Sequence, residues 1–208
     1  MRLNFWETLL VNNPVRAFVQ RQVEAPLLLR LGGRLDGKRV LEVGCGRGVG
    51  AEIVLEKFGA DSICAIDLDP NMIERARRRL SKFPSGRFQL KVGDAASIDF
   101  PDASFDAVFD FGIIHHVPNW QASIREIRRV LKADGIFFFE EVPKKALEKW
   151  LYRTFLEHPK ENRFESFDFV EELKRNGFVV SGIENLLGSD VFAGVARATR
   201  TIPRGSKE

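Results

Sequence analysis

The sequence predicts an α/β fold, a doubly wound and mostly parallel sheet with helices on both faces. Three observations carry that prediction. Short apolar segments alternate with helical ones from Val40 to Phe139, the rhythm of βαβ units. A glycine loop, Gly44-Cys45-Gly46-Arg47-Gly48, follows the first apolar segment. The chain closes on two strand-like segments, Phe178 to Asn185 and Val191 to Thr199, with only the five residues Leu186 to Asp190 between them. Five residues cannot hold a crossover helix, so this pair is expected to be an antiparallel hairpin.

Each element has its own signature. Asn13-Pro14 reads as an N-cap followed by proline in the first helical turn. Val15, Phe18, Val19 and Val23 recur at helical spacing. Pro26 kinks or restarts that helix, and Leu27 to Leu31 runs into Gly32-Gly33. Val40 to Val43 is the first strand. Ala51 to Phe58 reads as a helix closed by Gly59, Ser62 to Ile66 as the second strand, and Asn71 to Lys82 as the second helix, with Asp69-Pro70 suited to its N-cap. Phe88 to Val92 and Phe105 to Phe111 are the third and fourth strands, and a helix follows from about Trp120 to Leu131. Asp134-Gly135 turns the chain into Ile136-Phe137-Phe138-Phe139, a run expected of a strand buried on both faces. Phe167 to Asn176 is the last helix, closed by Gly177. Thr201 to Glu208 reads as a polar, frayed tail.

Composition bounds the function. The chain has 208 residues, 44% hydrophobic and 29% charged, enough for one self-sufficient core. The two cysteines, Cys45 and Cys64, make no CxxC pair, and no Cys/His cluster has zinc spacing, so no metal site is expected. No apolar run approaches the roughly 20 residues of a membrane span. Asn12, Asn13, Pro14 and Arg16 interrupt any signal-peptide core, so a cytoplasmic location is the default. The net charge of +3 permits an anionic partner without arguing for one. Arg75, Arg77, Arg78, Arg79, Lys82, Arg87 and Lys91 form a basic stretch with no acid among residues 75–91, read as a solvated helix face. Few aromatics interleave it, so nucleic acid is not the expected partner.

The chemistry gathers where strands end. Ligands of open α/β sheets bind beyond the carboxyl ends of the strands, and the glycines there allow close backbone approach. Asp67 ends the second strand, where a carboxylate can accept from ribose hydroxyls. Leu68 beside it can pack on a base. Glu42, two residues before Gly44, is an acid in a half-buried place, costly unless a cation or donor uses it; pairing with an arginine is the other reading. Gly93-Asp94-Ala95 follows the third strand, either as a turn or as an acceptor for an exocyclic amine.

These residues resemble the class I S-adenosylmethionine (SAM) dependent methyltransferases, small-molecule branch. The resemblance runs from about Val40 to Val142. Its glycine motif is Glu42 to Gly48, its ribose acid Asp67 and its adenine-side acid Asp94. Phe105-Asp106-Ala107-Val108 through His115-His116-Val117, and Leu131-Lys132-Ala133-Asp134-Gly135, extend it. It implies a seven-stranded sheet of order 3-2-1-4-5-7-6 with strand seven antiparallel. The divisions expected are a helical cap over 1–35, a SAM-binding core over 36–142, a lid-like insertion over 143–165, and a C-terminal helix and hairpin over 166–200. It implies SAM as cofactor and S-adenosylhomocysteine as product. Glu42, Gly44, Cys45, Gly46, Asp67, Leu68, Asp94, Ala95, Asp110 and Phe111 are the cofactor-binding positions, with Glu42 serving the methionine ammonium. His115 and Asp110 are the catalytic candidates. Histidine can titrate near neutrality and act as a base; packing and capping is the plainer role for the His115-His116 pair.

Methyl transfer is a direct displacement that needs the acceptor held in line and water excluded. The expected partner is a small-molecule acceptor, apolar or lipid-like, with peripheral membrane contact left open. Phe5, Trp6, Trp150, Tyr152, Phe155, His158 and Phe164 are candidates to select it. Glu140 and Glu141 should point to opposite faces, one to the acceptor and one to a lysine such as Lys144. Two alternatives remain: a non-catalytic SAM- or adenosine-binding scaffold, and an NAD-dependent oxidoreductase reading Gly46 to Ala51 as GxGxxA. Against the second stand the charged Glu42 before the glycines, the acid at Asp94, the hairpin ending and the missing Tyr-x-x-x-Lys pair.

Overall fold

The protein is described by a computed structural model over residues 13–148 and 162–200. Among these, seven strands form one sheet: β1 (Arg39–Val43), β2 (Ser62–Asp67), β3 (Phe88–Val92), β4 (Phe105–Phe111), β5 (Leu131–Glu141), β6 (Phe178–Leu186) and β7 (Val191–Ala198). Their order is β3-β2-β1-β4-β5-β7-β6. The pairs β1–β2, β1–β4, β2–β3 and β4–β5 are parallel, while β7 runs antiparallel to both β5 and β6. The chain reverses its lateral direction at β1 and β4, so the carboxyl ends of these strands face the crevice where such folds bind ligands.

The first helix, α1 (Pro14–Val19), passes through a π-helical turn at Gln20–Glu24 into α2 (Ala25–Gly32). Asn13 caps it, its Oδ1 accepting from Arg16 N at 2.8 Å. The wide turn immediately precedes Pro26, which supplies no N–H and crowds the turn before it. Gly33 ends the run at φ 82°. Next come α3 (Val49–Ile53), which continues as a π turn over Val54–Phe58, α4 (Pro70–Leu80), α5 (Trp120–Val130), α6 (Lys144–Leu147) and α7 (Ser166–Arg175). Asp69 caps α4 through Asn71 N, as its sequence suggested.

The aromatic run of β5 is buried on both faces. Phe138 stacks on Phe109 with centroids 4.3 Å apart, and Phe58 meets both edge-on. From the other face Phe137 and Phe139 join Phe169, Phe178 and Phe192. Such edge and offset contacts add to the area that aromatic burial already removes from water. β5 differs from expectation at its start. It begins at Leu131, opposite Phe105, rather than after a turn at Asp134-Gly135. Asp134 sits inside it at φ 62°, a left-handed conformation that aspartate tolerates, and the register shifts there instead of the chain reversing.

Of the segment expected as an insertion, residues 143–148 and 162–165 are among those described. Phe164 is 2% exposed and packs on Trp120 at 4.7 Å and on Phe169, so it is core and does not face an acceptor. Phe5, Trp6, Trp150, Tyr152, Phe155 and His158 lie outside the described residues. Among the described residues no helix is long and apolar enough to cross a membrane.

Candidate active site

The glycine loop joins β1 to α3. Gly44, Gly46 and Gly48 take φ values of 67°, 50° and 80°, a region that L side chains avoid. Space is short as well: a Cβ on Gly44 would lie 2.4 Å from Ile113 Cγ1. The loop is pinned to the neighbouring strand. Cys45 N donates to Ile66 O at 2.9 Å and Gly46 N to Asp67 Oδ2 at 2.8 Å. The other Asp67 oxygen accepts from Asp69 N at 2.9 Å. Burial lifts the Asp67 carboxyl above the usual carboxylate range, against the pull of those amides. The Cys45 thiol is also pushed up by burial.

Leu68, 40% exposed, lies open beside Asp67. Asp94 is exposed, and its Oδ1 closes a turn by accepting from Ala96 N at 2.8 Å. Ala95 is buried beneath it. Gly93 N donates to Asp67 O, which keeps the β2 and β3 ends together.

Glu42 is 1% exposed, and its Oε2 has no hydrogen-bond partner. Backbone N–H of Ala51 serves the carboxylate, but burial and then the charges of Asp67 and Asp110 hold its pKa well above the usual range. No arginine or lysine of the described residues pairs with it, so the arginine reading fails. Its Oε1 would lie 2.0 Å from a Cβ on Gly50, with the Phe111 ring 2.6 Å away. Gly50 is therefore part of how Glu42 is housed, an inference unavailable from a helix pattern.

At the ends of β4 and β5 the structure assembles a histidine–carboxylate pair that the sequence reading did not join. Glu141 is fully buried and accepts from Ile114 N at 2.6 Å, His115 N at 3.2 Å and His115 Nδ1 at 2.5 Å. Burial outweighs these donors and raises Glu141 to about 7. Asp110 is also fully buried, with Oδ1 accepting from Ile113 N at 2.9 Å. Burial and the adjacent Glu141 charge push it well above the usual carboxylate range. Asp110 thus lies behind the loop from Ile113 to His115 and has no exposed surface.

Glu140 points to the opposite face, as strand geometry demands. Its partner is not Lys144, which pairs with Glu148. Arg16 bridges Glu140 Oε1 at 2.9 Å and both oxygens of Glu24. Two buried carboxylates share one guanidinium, and Glu140 is raised well above the carboxylate range by burial. The signal for this cluster was present as an arginine and a glutamate on the first helix, but only packing brings them to β5.

Residues 41–139 match the methyltransferase domain family. The chain is 32% identical over 146 residues to the fatty-acid O-methyltransferase of Mycolicibacterium smegmatis, covering 68% of this chain and 52% of that protein. It is 29% identical over 175 residues to the 2-methyl-6-phytyl-1,4-hydroquinone methyltransferase of Synechocystis, covering 78% and 54%. The chain therefore spans about half the length of these curated relatives. Among solved structures, a SAM-dependent methyltransferase of Mesorhizobium loti superposes with a TM-score of 0.69 at 19% identity, covering 83% of this chain and 96% of that one. Sheet order, motif order and domain match converge: this chain belongs to the class I SAM-dependent methyltransferases.

Proposed function

We propose that the chain binds SAM over the glycine loop and transfers its methyl group to a small acceptor of apolar or lipid-like character. The observation that carries this reading is Glu42, a buried carboxylate with an unpartnered oxygen beside a loop whose Gly44, Gly46 and Gly48 carry no Cβ. An orphaned buried acceptor is costly, and a cationic ligand relieves that cost. The residues fit the cofactor: Glu42 for the ammonium, Asp67 for ribose hydroxyls, Leu68 and Ala95 around the base, Asp94 for its amine, and Gly44, Cys45, Gly46 and Phe111 along the loop. When bound, SAM supplies an electrophilic methyl carbon on a sulfonium.

The chain's own chemistry centres on His115. With Nδ1–H held by Glu141, Nε2 is the nitrogen that takes a proton from an acceptor hydroxyl or amine. Asp110 acts through Glu141 and is a positioning residue. Names of relatives support the acceptor class, a fatty acid in one case and a phytyl hydroquinone in another.

Turnover of labelled SAM against a panel of fatty acids and prenylated quinols tests this. Methyl transfer to a member of the panel, lowered by a factor of about 10² to 10⁴ in His115→Gln, is the expected result. Micromolar S-adenosylhomocysteine binding with no transfer to any acceptor would leave the scaffold reading in its place.

A further inference from the structure

We propose that an arginine-lined cleft behind the glycine loop docks the phosphate groups of an anionic lipid surface. The cleft, about 520 Å³, is lined by Arg47, Glu52, Arg75, Arg78 and Arg79. Helix α4 buries Met72, Ile73, Ala76 and Leu80 on one side. Arg75, Arg78 and Arg79, with Lys82 one turn on, therefore line up on its other side at i, i+3, i+4 and i+7.

The acids there are already committed. Glu52, 7% exposed, holds Arg21, Arg79 and Lys82 at 2.8, 3.0 and 2.6 Å, and Glu56 holds Arg21 and Lys82. Arg47, Arg75 and Arg78 have no carboxylate partner among the described residues. Arg47 donates to Asn13 O at 2.8 Å and Arg78 to Glu74 O at 3.4 Å. Burial, then the charges of Arg79 and Arg75, hold the Arg47 guanidinium below its usual value, as expected where four arginines line a cleft with one carboxylate, Glu52. Guanidinium groups match phosphate oxygens in bidentate geometry.

A lipid surface is favoured over a free phosphate by the helix that delivers Arg21. That helix exposes Val15 at 70%, Phe18 at 64% and Val23 at 47%. Apolar side chains beside a cationic site are the composition of an interfacial contact, apolar groups entering the acyl boundary and cations meeting headgroups. This inference stands on the cleft and that helix, not on the methyl-transfer reading.

Co-sedimentation of the full chain with phosphatidylglycerol-containing vesicles, against pure phosphatidylcholine vesicles, is the test. The double variant Arg75→Gln/Arg78→Gln should bind the anionic vesicles about thirtyfold more weakly, from roughly tenfold or less per cation near the surface. Arg77→Gln/Arg175→Gln removes the same charge from residues paired with Glu74 and Glu172 and should change binding by less than about threefold. S-adenosylhomocysteine binding by both variants, unchanged from wild type, reports that they fold. Equal weakening in the two variants overturns the proposal in favour of diffuse charge. So does the absence of vesicle binding in the wild type, calorimetric binding of inorganic phosphate without vesicle binding, or displacement from vesicles by a single-stranded RNA that the double variant fails to bind.

Discussion

Replacing Glu42 by glutamine separates cofactor recognition from folding. In the free chain Glu42 is 1% exposed, one oxygen unpartnered, and burial with the charges of Asp67 and Asp110 raises its pKa. The carboxyl therefore keeps its proton above the ordinary carboxylate range. An ammonium brought against Oε2 favours the charged form and lowers that value again. Ligand binding then releases a proton, and affinity rises with pH between the bound and free values, by at most a factor of about ten per pH unit. Glutamine keeps the shape and the Ala51 contact but cannot ionise. A hydrogen bond to a charged group contributes about 1.5–3 kcal/mol, so Glu42→Gln should weaken S-adenosylhomocysteine binding roughly ten- to hundredfold. Stability of the free chain should not fall, since no buried ion pair is broken. Calorimetric titration in two buffers of different ionisation enthalpy reads both affinity and proton release. Affinity within twofold of wild type, with the proton release intact, would refute the assignment of Glu42.

Four further outcomes are expected. Gly50→Ala lies in a helix, where propensity alone favours alanine by about 1 kcal/mol; the 2.0 Å approach to Glu42 Oε1 and the Phe111 ring predict a net loss of about 1–3 kcal/mol instead, measured by urea unfolding, with weaker ligand binding. Glu141→Gln should lower turnover and flatten its rise with pH through about 7, since the dyad needs the ionised carboxylate. The same variant tests linkage. The folded value of about 7 exceeds the unfolded value of about 4.3, so this group's contribution is complete below that lower value and is lost as pH rises through the higher one. Across pH 4–8 the unfolding free energy of wild type should fall by about 3 kcal/mol more than that of the variant. Arg16→Met leaves Glu24 and Glu140 buried side by side and should cost about 3–5 kcal/mol in urea unfolding at high pH, less as pH falls and Glu140, raised by burial, takes a proton.

The alternation of strands and helices, the hairpin and the glycine loop were legible because each depends on local rules. Hydrophobic period, turn chemistry and caps such as Asn13 and Asp69 act over a few residues. The run Phe137 to Phe139 announced its own burial on both faces by having no polar side. The sheet order was available only through the resemblance, which recognises motifs whose spacing encodes a shared fold, while Asp67 and Asp94 already stood out as acids at strand ends.

The sequence by itself determined which segments are strands, where the backbone turns through positive φ, and which carboxylates stand at strand ends. Tertiary structure alone decided what those carboxylates do. Glu140 and Glu141 are neighbours in the chain, yet one meets Arg16 from 124 positions away and the other meets His115. Side-chain alternation sends them to opposite faces, but partner identity comes from helices packed on each face, and that is a long-range property. The same holds for Glu42, whose cost of ionisation is set by the Phe111 ring, by Gly50, and by the charges of Asp67 and Asp110 from two other strands. The basic stripe of α4 follows the same logic: its charge is local, while its shortage of carboxylates around Arg47 and Arg75 exists only because the glycine loop packs beside it.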